Sequence, residues 1–91
     1  MSNVRLIRLP IVQERYGNLS RSTLYRLVGS GLWPAPVNLG ERAVAWPSDE
    51  CELVAGARIA GKSDDEIRKL VAELAARRTQ LMIQHVALEK N

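Results

Sequence analysis

Two prolines one residue apart, in Leu32-Trp33-Pro34-Ala35-Pro36, divide this chain more firmly than any other feature. Each ring fixes its own φ, removes a backbone donor and pushes the preceding residue out of helical geometry, so no helix passes through the segment. Whatever lies upstream must end there, and whatever lies downstream starts afresh. With 91 residues in all, there is room for one core only, so the pieces on both sides must share it.

Upstream, Leu9 to Gly17 reads as a short helix. Pro10 sits in its first turn, where a missing N–H costs no hydrogen bond, and Gly17 supplies a left-handed exit. Val12 and Tyr16 stand one turn apart and can share a buried face. A second helix starts at Ser20, a good N-cap, with Leu19 and Leu24 at the two hydrophobic-staple positions. Thr23 stands where a glutamate would complete a capping box. Leu24, Leu27 and Val28 fall on one face, leaving Arg21, Ser22, Tyr25 and Arg26 on the opposite one. The helix stops by Ser30 with Gly31 as its cap, and Gly29 weakens the last turn by ~1 kcal/mol. Two helices separated by Gly17, Asn18 and Leu19 make a helix-turn-helix.

Downstream, Val37-Asn38-Leu39 and Arg42-Ala43-Val44-Ala45-Trp46 read as a small β-hairpin. Gly40-Glu41 suits a two-residue type II′ turn, with Val37, Leu39, Val44 and Trp46 alternating onto one face. A three-residue loop would shift the register. In both cases Arg42 lies at or beside the tip.

The net charge of +3 gains meaning only when divided along the chain. Residues 1–46 carry six arginines against Glu14 and Glu41, a surplus of four. Residues 47–91 carry seven basic and eight acidic residues, a deficit of one. All four aromatic residues, Tyr16, Tyr25, Trp33 and Trp46, also lie in the first half. The second helix offers solvent two arginines, a tyrosine and hydroxyls, with no acid among them. Long donors for guanine edges and phosphates, with short hydroxyls near the N-terminus, are what a major-groove helix needs. The alternative is an amphipathic surface helix whose polar face happens to be basic.

The second half reads as two helices. Pro47-Ser48-Asp49-Glu50 opens one that runs to about Ala60. Cys51, Val54, Ala55 and Ile59 form one stripe, expected to close the core, while Leu53, Ala57 and Ala60 lie on a second side. Gly61-Lys62 breaks the chain, and Ser63-Asp64-Asp65-Glu66 is a full capping box that starts the last helix. Asp64–Arg68, Asp65–Lys69 and Glu73–Arg77 stand at i,i+4 spacing, each pair worth ~0.2–0.5 kcal/mol when exposed. This helix can run to about Glu89, roughly 39 Å at ~1.5 Å per residue. Ile67, Leu74, Leu81 and Leu88 recur every seven residues, but the second seam meets Arg77, Arg78, Gln84 and His85, so no long zipper forms. A shorter pairing between subunits fits the pattern, and so does a helix folded back on its own domain.

Little here suggests an enzyme, a cofactor or a metal. One Cys and one His cannot build a site of the usual Cys/His type. Cys51 reads as a core filler, His85 as a solvated residue, and the acids at residues 64–66 as a helix start. The glycines match no phosphate-binding spacing. No apolar run approaches the ~20 residues needed to cross a bilayer. No secretory leader is legible at residues 1–5, and a single cysteine makes no internal disulfide, so the expected address is the cytoplasm.

The run Arg5-Leu6-Ile7-Arg8-Leu9-Pro10 and the helix Leu19-Ser20-Arg21-Ser22-Thr23-Leu24-Tyr25-Arg26-Leu27 resemble the AlpA family of phage-associated regulators. So do Pro34-Ala35-Pro36-Val37 and Leu39-Gly40-Glu41-Arg42-Ala43-Val44-Ala45-Trp46-Pro47; together these segments cover roughly residues 5–58. The resemblance implies a small winged helix-turn-helix shared with excisionases and MerR-type regulators, with Ser20–Leu27 as recognition helix and Val37–Trp46 as wing. Two departures stand out. Gly17-Asn18-Leu19 is one residue longer than the family's usual turn. Cys51 and Val54 occupy slots where the family often carries an aliphatic residue and a tryptophan, which implies a thinner core or compensation from elsewhere.

The expected architecture is thus mainly α with a small β-hairpin: a winged helix-turn-helix of MerR/excisionase kind plus a C-terminal helix. Residues 1–60 form the DNA-binding domain and residues 61–91 a helical extension for oligomerisation or packing. The expected partner is double-stranded DNA, contacted by Ser20, Arg21, Ser22, Thr23, Tyr25 and Arg26 on the helix and Arg42 on the wing. A homodimer or side-by-side oligomer is expected, with an integrase or RNA polymerase as further partner, and no membrane or small-molecule substrate. The function read from this is a transcriptional regulator of a prophage or integrated element. The alternatives are a recombination directionality factor, a packaging or replication accessory protein and, in a different class, a helical protein-interaction module.

Overall fold

The computed structural model describes residues 4–89, with side chains through residue 80. The first two helices arise where their local signals stand. Helix α1 spans Leu9–Arg15 with Pro10 in its first turn. Gly17 (φ +107°) and Asn18 (φ +53°) then take two left-handed steps in succession. Gln13 fixes this turn at both ends: its carbonyl accepts from the Leu19 N–H (3.2 Å), and its side-chain Nε2 donates to the Leu19 carbonyl (3.1 Å). Helix α2, Arg21–Gly29, starts on Ser20, whose Oγ accepts from the Thr23 backbone N–H. It ends in a Schellman turn: Gly31 (φ +76°) donates to Val28 and Leu32 donates to Leu27.

The sheet is larger than the sequence suggests. Strand β1, Leu6–Arg8, joins β2, Val37–Gly40, and β3, Ala43–Pro47, in an antiparallel sheet of order β1-β3-β2. Ile7 lies opposite Trp46 and faces the core, while Leu6 and Arg8 point outward. The Arg5 carbonyl accepts from Ser48 N–H, and Arg5 N–H donates to the Ser48 hydroxyl. The strand was invisible as a pattern because three residues running directly into a helix carry no alternation and no turn.

The hairpin register also differs from expectation. Gly40 pairs with Ala43, so the turn residues are Glu41 and Arg42, and Arg42 itself takes the left-handed conformation (φ +58°). Asn38 pairs with Val44 and Val37 with Ala45, with an irregularity between Asn38 and Gly40. Directly paired residues share a face. Val37 therefore lies with Ala45, and Val44 and Trp46 with Asn38, rather than all four apolar residues together. Leu39 falls in the bulge and is half exposed.

Helix α3, Ser48–Ile59, and helix α4, Asp64–Glu89, complete the fold. Between them Gly61 (φ +83°) makes a second Schellman turn, with Lys62 donating to Ala57. The capping box forms in full: Glu66 N–H donates to Ser63 Oγ (3.2 Å) and Ser63 N–H to Glu66 Oε1 (3.0 Å). The expected apolar stripe of α3 needs correction. Cys51, Val54 and Ala57 face the core, whereas Ile59 is 87% exposed. Five residues past Val54, at ~100° per residue, turns Ile59 about 140° away.

One core collects a residue from almost every element: Val12, Leu24, Trp33, Trp46, Cys51, Val54, Ile67 and Leu74. Two of the seven-residue repeats, Ile67 and Leu74, are thus used inside the molecule. The side chains of Leu81, His85 and Leu88 lie outside the described residues. The smaller side chains on α3 are met by Trp33, whose ring packs against Tyr16 at 5.2 Å, tilted by 53°. An apolar cleft of about 310 Å³ remains there, between Leu19, Leu27, Val54 and Ala55.

Two arginines tie α4 to the rest. Arg68 Nε donates to the Ser30 carbonyl at the end of α2 (2.9 Å). Arg78 Nε donates to Glu50 Oε2 (2.9 Å), and its Nη2 bonds both Glu50 Oε1 and the Ala35 carbonyl. The charge pairing along α4 consequently departs from i,i+4. With Arg68 drawn toward Ser30, it bridges Asp65 (3.2 Å), Asp64 bridges Arg58 (3.0 Å), and Glu66 takes Lys62 (3.9 Å). Asp65–Lys69 and Glu73–Arg77 are not bridged.

Candidate nucleic-acid interface

The N-terminal turn of α2 carries the expected chemistry, arranged in two layers. Ser20 and Thr23 belong to the helix start: Ser20 Oγ accepts from Thr23 N–H at 3.2 Å and donates to Thr23 Oγ1 at 2.9 Å. Their hydroxyls hold the cap in place of the missing glutamate. Arg21, Ser22 and Arg26 are exposed, with Ser22 Oγ 3.4 Å from Ser20 Oγ. Ser20, Arg21, Ser22 and Tyr25 line one open depression in the surface.

Tyr25 does not stand free on the polar face as the helical pattern suggested. It is half-buried and packs against the core. Its ring meets Trp46 at 6.1 Å, edge to face at 63°, and the Arg21 guanidinium lies over the ring, 5.8 Å from its centroid. Trp46 is fully buried and anchored by its Nε1–H, which donates to the Pro34 carbonyl at 2.7 Å. Sequence reasoning placed Trp46 on the hairpin and missed its contact with α2. An aromatic residue at the end of the hairpin's second strand was the only available signal.

Arg42 occupies the hairpin tip, exposed, on the left-handed turn. Electrostatics separate these side chains from the bridged cations of the second half, a property they share with Arg5, Arg8, Arg15, Lys69 and Arg77. Arg58, Lys62, Arg68 and Arg78 are all paired with carboxylates. Among the described residues, Arg21, Arg26 and Arg42 make no ion pair. An unpaired guanidinium keeps its planar fork of donors for an external carboxylate, phosphate or base edge. No acidic residue lies in α2 to compete with them.

Other chemistry is sparse. Burial, ahead of the neighbouring Glu50 and Asp49, pushes the Cys51 thiol up to about 12, so it stays protonated at neutral pH. Among the described residues no three His, Cys, Asp or Glu side chains converge as a metal site. No described helix is long and apolar enough to cross a membrane.

A capped helix-turn-helix, a three-stranded sheet that includes a hairpin with Arg42 at its tip, and helices closing the core define a winged helix-turn-helix protein. The profile of the family described as prophage CP4-57 regulatory protein (AlpA) matches residues 5–53, and the chain belongs to that family. It is also similar to an uncharacterised protein, ORF88, of Enterobacteria phage P4: 43% identical over 58 residues, which cover 64% of this chain and 65% of that protein. The chain thus spans just under two-thirds of this relative's length. No solved structure matches it significantly.

Proposed function

We propose that this protein binds double-stranded DNA sequence-specifically and regulates transcription of a prophage or integrated element. The observation that carries this reading is the cluster of exposed arginines without carboxylate partners on α2 and the hairpin tip, with no acidic residue in α2 to neutralise them. Arg21 and Arg26 enter the major groove to reach guanine edges or phosphates, with Ser22 and Tyr25 beside them. Ser20 and Thr23 present the N-terminal turn of α2 to a phosphate, and Arg42 reaches the backbone from the hairpin tip. Residues 1–60 form the DNA-binding module. The extension, residues 61–91, braces it through Arg68 and Arg78, and its distal part joins copies side by side. Joining matters because a single module buries only about 600–1,000 Å² on DNA, too little for high specificity.

The test is titration against duplexes from the chain's own gene neighbourhood at several salt concentrations. The expected result is one preferred sequence whose affinity falls with salt, linear on a log–log plot. Equal affinity for every duplex, or none at low salt, sinks the proposal. An excised-element assay with the neighbouring integrase separates a directionality factor from a regulator: stimulation of excision without change in promoter output favours the former.

A further inference from the structure

Arg21, Tyr25 and Trp46 form a continuous chain from the core to the surface. Trp46 has no exposed area and its indole N–H is fixed on the Pro34 carbonyl. Its ring buttresses the Tyr25 ring at 6.1 Å, and the Tyr25 ring lies 5.8 Å beneath the Arg21 guanidinium. Arg21 and Tyr25 are one helical turn apart, the spacing at which side chains on one face meet. An exposed arginine ordinarily samples many rotamers and loses that freedom when it binds. One held over an aromatic ring has lost part of it beforehand.

We propose that Tyr25 is a positioning residue, whose ring, braced by Trp46, orients Arg21 for a bidentate contact with guanine. This rests on the reading of α2 as the DNA-recognition helix. A cation–π contact uses the charge of the guanidinium over the ring and consumes none of its N–H donors, which stay available to pair with guanine O6 and N7. The tyrosine hydroxyl plays no part in this positioning, so the ring is needed for it and the oxygen is not. Arg26 has no such aromatic support among the described residues and serves the phosphate backbone.

The experiment measures affinity for the preferred duplex and for one with a single guanine replaced, using Arg21→Ala, Tyr25→Phe, Tyr25→Leu and the double variant Arg21→Ala/Tyr25→Leu. Thermal melting of each variant confirms that it is folded at the assay temperature, and Tyr25→Met replaces the leucine variant if that one fails to fold. Tyr25→Phe, which keeps the ring, is expected to keep the parent's discrimination between the two duplexes even if a hydroxyl contact lowers its affinity for both. Tyr25→Leu is expected to lose about two- to fivefold on the preferred duplex, the range of an exposed cation–π contact, with little change on the other. In the Arg21→Ala background Tyr25→Leu should cost nothing further. Additive losses, or equal losses on both duplexes, overturn the positioning role while leaving Arg21 as a contact. An Arg21→Ala variant that binds every duplex as the parent does overturns both the positioning role and the assignment of Arg21 to DNA.

Discussion

Arg78→Ala is expected to be the most damaging single charge deletion in the described part of this protein. The Glu50 side chain is 8% exposed and receives two hydrogen bonds from Arg78, which also donates to the Ala35 carbonyl beside the prolines. The pairing is strong enough that Glu50's hydrogen bond, working against burial, holds the Arg78 guanidinium above its ordinary pKa. Removing one partner of a buried pair costs about 3–5 kcal/mol, because the remaining charge is left without compensation. Arg78 is 29% exposed, so water can partly replace it, and the expected loss is about 2–4 kcal/mol. At roughly 4–8 °C per kcal/mol for a domain of this size, the midpoint should fall by about 8–32 °C. Urea and thermal unfolding followed by helical circular dichroism measure both quantities. Arg58→Ala is the internal control. Its bridge to Asp64 has both side chains about half exposed, 52% and 56%, and should be worth under about 1 kcal/mol. Replacing both partners, Glu50→Met with Arg78→Met, should recover most of the loss, since no buried charge remains. Equal effects for Arg78→Ala and Arg58→Ala, or a double variant no better than the single one, refute the reasoning.

Three further outcomes follow from individual contacts. Ser20→Ala should cost ~1 kcal/mol by urea unfolding, because it leaves the Thr23 N–H without its side-chain acceptor, and Ser20→Gly only a few tenths, because water reaches that amide more readily past a residue with no side chain; no loss in Ser20→Ala would show that the hydroxyl does not cap α2. Cys51, buried with its thiol pushed up to about 12, should resist alkylation near pH ~8 in the native protein and react once unfolded in urea; rapid native labelling contradicts the burial. Glu66 is held below its ordinary value of 4.5, first by the Ser63 backbone N–H and then by its hydroxyl. A depressed carboxylate contributes stability above its unfolded pKa and loses it as the pH falls through the folded one. Glu66→Gln should therefore make the acid limb of the stability profile, below about 4.5, less steep; an unchanged limb would contradict the capping box.

The way the candidate site was legible in the sequence is instructive. Arg21, Ser22 and Arg26 were readable as an exposed cationic face because helical spacing is a strict geometric rule. Tyr25 was misjudged by the same rule. Helical periodicity says which direction a side chain leaves the helix, not what a distant strand brings to meet it. Trp46, 21 positions later in the chain, converts a nominal surface residue into a half-buried one. The wing shows the same limit. Glycine, Glu41 and Arg42 marked a turn correctly, but Gly40 pairs with Ala43, which puts Glu41 and Arg42 at the tip, one residue along from the Gly40-Glu41 turn that composition suggested.

What the sequence determined by itself is everything held by contacts within about six residues. The caps at Ser20 and Ser63, the Schellman exits at Gly31 and Gly61, the helix barrier at Pro34 and Pro36, and the charge surplus of the first half all belong here. Each is an interaction between near neighbours, so local composition fixes it. Tertiary structure alone decided the third strand, the burial of Glu50 under Arg78 and the Trp46 brace beneath Tyr25. All three depend on which distant elements meet. That is settled by sharing a single small core, where the gain from burial outweighs what any one segment prefers alone.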